Sequence, residues 1–169
     1  MDKRAAIPML AIAVGVFAAP PSASAQSVAV NDSFIQQVGD LNTAGVKQVG
    51  GGNTQVTLQG LIDTSALAGI PHTGTLSAGP SFGNIANTTQ LANPANGGSN
   101  NSTTIQLGAG ANVSNVMQVA LLGGTNNALT IQNGAGNSAS TTQIAHAGLT
   151  NSSAIVQMGS HNTATVTQR

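Results

Sequence analysis

The sequence predicts an all-β chain folded as a two-sheet β-solenoid of five strand–arc–strand coils. Three observations carry that expectation. Gln recurs at a fixed interval: Gln118, Gln143 and Gln168 are 25 residues apart, and so are Gln132 and Gln157. An Asn stands six residues before each of them. Between Asn and Gln the side-chain types alternate with period 2, the period of a strand and not of a helix. Self-similarity of this kind marks a stack of like supersecondary units.

Ten Asn-to-Gln units run along the chain. They are Asn31–Gln37, Asn42–Gln48, Asn53–Gln59, Asn84–Gln90, Asn100–Gln106, Asn112–Gln118, Asn126–Gln132, Asn137–Gln143, Asn151–Gln157 and Asn162–Gln168. Two residues after the Asn the side chain is small in nine units, as at Ser33, Ala86 and Ala139; Gln55 is the exception. Two residues before the Gln it is always β-branched, from Ile35 and Val46 to Ile155 and Val166. Such residues fit a pleated backbone. Each unit therefore specifies one face of a seven-residue strand.

The spacers between units read as turns. Val38–Leu41, Asn133–Gly136 and Met158–His161 have four residues each, and Leu107–Ala111 has five. Gly39, Gly108, Gly134 and Gly159 sit in these arcs, where a tight turn calls for positive φ. Longer spacers, Val119–Thr125 and Ile144–Thr150, alternate with them. The units thus pair into coils 31–48, 53–90, 100–118, 126–143 and 151–168, a solenoid over 31–168. The second coil contains an insertion, Gly60 to Gly83, expected to bulge as a loop at 60–83. Pro71, Pro80 and Pro94 all fall outside the ten strands, as ladder hydrogen bonding requires.

Residues 1–25 read as a secretory signal peptide. Lys3 and Arg4 precede an apolar stretch from Ala5 to Ala19, and Ala23-Ser24-Ala25 forms a small-x-small cleavage site. The apolar stretch is shorter than the ~20 residues a membrane span needs. Cleavage leaves Gln26, with 26–30 as a short lead into the first strand. Charged residues make up only 5% of the chain, net charge is zero, and Cys is absent; average soluble domains carry roughly 25% charged residues. That balance excludes nucleic acid as a partner, because no basic surface exists to displace counterions. It also excludes a disulfide scaffold and thiolate metal sites.

The spacing of these units resembles that of a known family. The curlin repeat of bacterial curli fibres reads Ser-x5-Gln-x-Gly-x2-Asn-x-Ala-x3-Gln. Gln132-Asn-Gly134-Ala-Gly-Asn137-Ser-Ala139-Ser-Thr-Thr-Gln143 matches its core without gaps, as do Gln157 to Gln168 and Gln37 to Gln48. The opening Ser is Asn in every coil here, and the family's Gly/Asn-rich N-terminal segment has no counterpart among Gln26 to Val30. The resemblance implies a structural subunit of a secreted functional amyloid, an extracellular cell-surface fibre of a Gram-negative bacterium serving biofilm matrix and adhesion. The implied partners are other copies of itself in a homopolymer, a nucleator curlin and a curli-type secretion channel.

Physical chemistry reaches an amyloid-like stack without the family. Coils stacked about 4.8 Å apart would set Asn over Asn and Gln over Gln, each amide donating to the next rung. A buried amide without a partner costs roughly 1–3 kcal/mol, so each rung calls for a like neighbour. Natural sheets usually block their edges with charge or Pro; the last strand, Asn162 to Gln168, carries neither.

Other residues carry weaker signals. His72, His146 and His161 occupy unrelated repeat positions with no paired acid, and they read as surface turn residues. Asp63-Thr64-Ser65 lacks the context of a catalytic triad. Asp32, Asp40 and Asp63 lack calcium-loop spacing. The expectation is therefore a non-enzyme with no catalytic, metal or cofactor site and no small-molecule substrate. On the outward faces, Gln36, Leu58, Ile105, Ile131 and Val156 form a mostly apolar row, suited to lateral packing or adhesion. Ser138, Ser140, Thr142, Thr163, Thr165 and Thr167 form a hydroxyl array. A monomeric β-solenoid binding module, such as an ice-binding protein or a surface adhesin, is the alternative that such an array raises.

Overall fold

A computed structural model describes residues 30–60, 81–93, 97–108 and 110–169 of the chain. The signal peptide, Asp63, His72, the three prolines and the body of the expected insertion lie outside the described residues. Among the described residues the chain forms twelve strands and no helix: β1 (Asp32–Gln37), β2 (Gly39–Asp40), β3 (Thr43–Val49), β4 (Asn53–Gln59), β5 (Ser81–Phe82), β6 (Ile85–Ala92), β7 (Ser99–Leu107), β8 (Val113–Ala120), β9 (Thr125–Asn133), β10 (Ser138–Ala145), β11 (Thr150–Met158) and β12 (Thr163–Gln168).

First strands of the coils build one five-stranded sheet, ordered β1-β4-β7-β9-β11. Second strands build the other, ordered β12-β10-β8-β6-β3. All pairings are parallel, and each joins strands that are one coil apart. This is the expected two-sheet solenoid. Register follows the sequence repeat: Gln59 pairs with Gln106, Gln106 with Gln132, and Gln132 with Gln157. A one-residue slip would turn every inward side chain outward, so the alternating pattern itself fixes the register.

Inside, the two strands of a coil run past each other. Gln106 Nε2 donates to the Asn112 carbonyl at 3.1 Å, and Gln118 Nε2 to the Asn101 carbonyl at 2.9 Å. The end of each strand therefore meets the start of its mate. By that register the small position of one strand falls across from the β-branched position of the other: Ser102 from Val116, Ala128 from Thr141. All four are buried. The pairing of small with large fills a narrow interior evenly, as close packing demands. Beyond their Gln, β6, β8 and β10 add a further buried column, Ala92, Ala120 and Ala145.

Two features depart from a simple reading of the spacers. Ser81–Phe82 pairs in parallel with Gly39–Asp40, and Gly60 donates its N–H to the Gln106 carbonyl at 3.0 Å. Gly60, Ser81, Phe82 and Gly83 thus stand where the first, fourth and fifth coils have a four-residue arc. The return from the first coil to the second is also short, only Val49 to Gly52, with Gly50 and Gly52 at positive φ.

The outward row was expected to face solvent, and the structure places most of it in a core. Leu58, Ile105 and Ile131 are 0–1% exposed and cluster with Leu107, flanked by Val56 and Leu129. Gln36 and Val156, at the ends of that row, stay outside the cluster. At about 25 cal/mol per Å2 of apolar surface, such a cluster is a stabilising element and not a free ridge.

Candidate assembly surface: four amide columns and two open ends

All twenty Asn and Gln residues singled out in the sequence fall into four columns. Gln37, Gln59, Gln106, Gln132 and Gln157 form the first, each Nε2 donating to the next Oε1 at 2.7–2.8 Å. Gln48, Gln90, Gln118, Gln143 and Gln168 form the second at 2.7–2.9 Å. In the middle coils every one of these Gln side chains is 0–1% exposed. A second N–H of each middle-coil amide is held as well: Gln90 donates to the Thr54 carbonyl, Gln132 to that of Val113 and Gln143 to that of Asn127. This backbone acceptor fixes which end of the amide is nitrogen.

The two Asn columns run the opposite way. Asn53, Asn100, Asn126 and Asn151 each donate Nδ2 to the Oδ1 of the preceding coil, Asn31, Asn53, Asn100 and Asn126 in turn, at 2.8–3.1 Å. In the other column the backbone N–H of Asn84, Asn112, Asn137 and Asn162 donates to Oδ1 of Asn42, Asn84, Asn112 and Asn137 at 3.0–3.1 Å. Gln amides therefore give protons toward the C-terminal coil, and Asn columns give them toward the N-terminal coil. Sequence spacing foretold the columns; their direction is visible only in the hydrogen bonds.

The arc glycines lock the columns at their corners. Gly39, Gly108, Gly134 and Gly159 have φ of 105°, 99°, 132° and 91°. A Cβ on Gly134 would overlap the Gly159 carbonyl of the next coil, so the stack approaches too closely for any side chain there. The carbonyls are used: Asn112 Nδ2 donates to the Gly134 oxygen at 2.9 Å and Asn137 Nδ2 to the Gly159 oxygen at 2.8 Å. The sequence reading missed a second demanding arc position, the residue before Asn. Leu41, Gly83, Gly136 and His161 there have φ of 57°, 68°, 66° and 60°. Leu and His gave no glycine signal to find it by.

Not every interior polar group is paired. Ser102 Oγ, Thr104 Oγ1, Ser114 Oγ, Thr130 Oγ1 and Thr141 Oγ1 are buried without a protein partner. Gln55, the one large residue at a small position, accepts from Ser33 and donates to Thr57. Among the described residues no three His, Asp, Glu or Cys side chains gather in one place. His146 lies in a return turn, its carbonyl accepting the Leu149 N–H, while His161 lies in an arc. On the outer face of the second sheet, Ser138, Ser140 and Thr142 stand in register with Thr163, Thr165 and Thr167. One coil further the array gives way to Val113, Asn115 and Met117, with Asn87 donating to Asn115. No family profile, curated protein or solved structure matches the chain.

Proposed function

We propose that this chain is the structural subunit of a secreted, curli-like amyloid fibre that polymerises by stacking its end coils. The observation that carries this reading is that all four amide columns run the length of the solenoid and, among the described residues, have no further rung beyond either end. Gln157, Gln168, Asn151 and Asn162 close one end, and Asn31, Gln37, Asn42 and Gln48 the other. A surface bearing the same residues at the same spacing completes all four at once. The role is architectural, not catalytic, and it suits an extracellular matrix or adhesive fibre exported by a curli-type route with a nucleating partner.

The test is polymerisation of residues 26–169. The reading expects a lag phase that preformed fibres abolish. A chain that stays monomeric at high concentration after seeding overturns it.

A second reading rests on the hydroxyl array of β10 and β12: a monomeric solenoid that binds ice or another ordered surface. It expects freezing-point hysteresis from the monomer. The interruption at Val113, Asn115 and Met117 makes it the weaker of the two.

A further inference from the structure

We infer that residues 61–80, the segment inserted in the second coil, cover the apolar outer face of the first sheet at Leu58, Ile105, Leu107 and Ile131. The inference concerns the single chain and does not rest on the polymer reading. It starts from a contrast between the two sheets. In the second sheet, an outward side chain with a strand on either side stays open to solvent. Met117 is 41% exposed between Thr89 and Thr142, and Leu91 is 37% exposed between Val49 and Val119. Neighbours within a sheet therefore do not bury such a side chain. In the first sheet, Ile105 stands between Leu58 and Ile131 and is 0% exposed. Its cover has to come from beyond the sheet. All twelve strands belong to the two sheets or to the β2–β5 arc pair, so no described strand lies across this face.

The burial is graded, and the gradient points to its source. Along β7 the outward residues run from exposed Asn101 through half-buried Thr103 to buried Ile105 and Leu107. Along β4 they run from exposed Thr54 through half-buried Val56 to buried Leu58. The cover therefore lies at the Gln ends of the strands. It spans the second to fourth coils, because Val156, next in the row after Ile131, is 37% exposed. Residues 61–80 depart from that corner and return to it. Gly60 donates its N–H to the Gln106 carbonyl, and Ser81 donates its own to the Val38 carbonyl. Leu58 and Ile131 are two rungs apart, about 10 Å, and a segment of 20 residues extends to ~60 Å. It carries Leu61, Ile62, Leu67, Ile70 and Leu76 with one charge, Asp63. The remaining segments outside the described residues do not reach. Residues 94–96 and 109 are too short, and residues 26–29 join at the Asn end of β1. From there Ile131 is three rungs and five strand residues away, about 22 Å, against a reach of ~14 Å for four residues. A bare apolar row of this size is a ready contact for other molecules; the cover removes it from side-by-side contact between copies.

Thiol labelling of monomeric residues 26–169 tests the cover, since the chain has no Cys of its own. Ile131→Cys should react with a maleimide roughly tenfold or more slowly than Met117→Cys on the bare sheet, because a covered thiol reacts only through local opening. Deleting 61–80 joins Gly60 to Ser81 and leaves a four-residue arc. In that shortened chain Ile131→Cys should label as fast as Met117→Cys. A disulfide scan in the undeleted chain gives a second measurement that does not depend on how the shortened chain folds. Ile131→Cys is combined in turn with Leu67→Cys, Ile70→Cys and Leu76→Cys, and at least one pair should close within the monomer on mild oxidation. Met117→Cys combined with the same three should not close. Fast labelling of Ile131→Cys in the undeleted chain overturns the inference. So does continued protection in a shortened chain that keeps its β circular dichroism, and so does a scan in which no Ile131→Cys pair closes or in which the Met117→Cys pairs close equally well.

Discussion

The middle coils and the end coils carry the same motif in different environments. In the third coil, Asn100, Ser102, Thr104 and Gln106 are 0–1% exposed. Their counterparts in the first coil, Asn31, Ser33, Ile35 and Gln37, are all exposed, Ile35 by 42%. The fifth coil lies between, with Ile155 and Gln157 at 5% but Asn162 and Gln168 only half-buried. Residue type does not decide this difference, since like residues differ in exposure; place in the stack does. An inward side chain of a middle coil lies between two rungs, whereas one in an end coil has a neighbouring rung on one side. That second rung is what a further copy would supply.

The largest effects should come from charging one column at the two locations. Val116 is 4% exposed in the third coil, and an unpaired carboxylate there costs several kcal/mol. Val116→Asp should leave the chain without a cooperative unfolding transition by circular dichroism. Val166 is half-buried at the end, so Val166→Asp should leave the monomer folded and abolish or greatly delay assembly. Thr165→Asp, one residue along and facing water, should be milder on lag time and elongation rate. If Thr165→Asp proves the more damaging, the two faces are assigned the wrong way round.

Removing one amide should be the next largest. Gln118→Ala strips Gln90 of its acceptor and Gln143 of its donor, about 1–3 kcal/mol for each group left unpaired. Chemical denaturation should register that loss. Gln168→Ala takes a partner from one Gln side chain, Gln143, and from the exposed Ser152 carbonyl; it should cost the monomer less, while slowing elongation at matched concentration and salt. Equal destabilisation by both would mean that the end rung is no weaker than the middle.

Smaller effects should be stabilising. Thr130 Oγ1 is buried in the fourth coil with no partner, so Thr130→Val should raise stability by about 1 kcal/mol, because the shape is kept and the orphaned hydroxyl removed. Leu41 sits at φ 57° and is 73% exposed in the first coil. Leu41→Gly should gain about 0.5–1 kcal/mol by relieving left-handed strain. Its counterpart in the fourth coil, Gly136→Leu, should lose at least as much, since a Cβ there meets the His161 ring. Melting temperatures of the three variants check both signs.

Much of this architecture was legible because stacking repeats translate sequence directly into contact. Gln118 and Gln143 lie 25 residues apart in the chain and one rung apart in space. The columns, the inward face and the glycine arcs follow from that single relation. Three things were not legible. Donor direction is a property of amide rotation, and Asn and Gln spell the same in either sense. The left-handed residues at Leu41 and His161 carry side chains that ordinarily avoid that conformation. The burial of Leu58, Ile105 and Ile131 arises on the outer face of the first sheet, where period 2 says only that they point away from the amides.

Fibre diffraction from aligned, assembled chains tests the central claim most directly. If copies continue the stack, a meridional reflection near 4.7–4.8 Å and an equatorial one near 10 Å should appear. Assemblies lacking the meridional reflection would contradict the account, because the rungs of neighbouring copies would not then be hydrogen-bonded along the fibre axis.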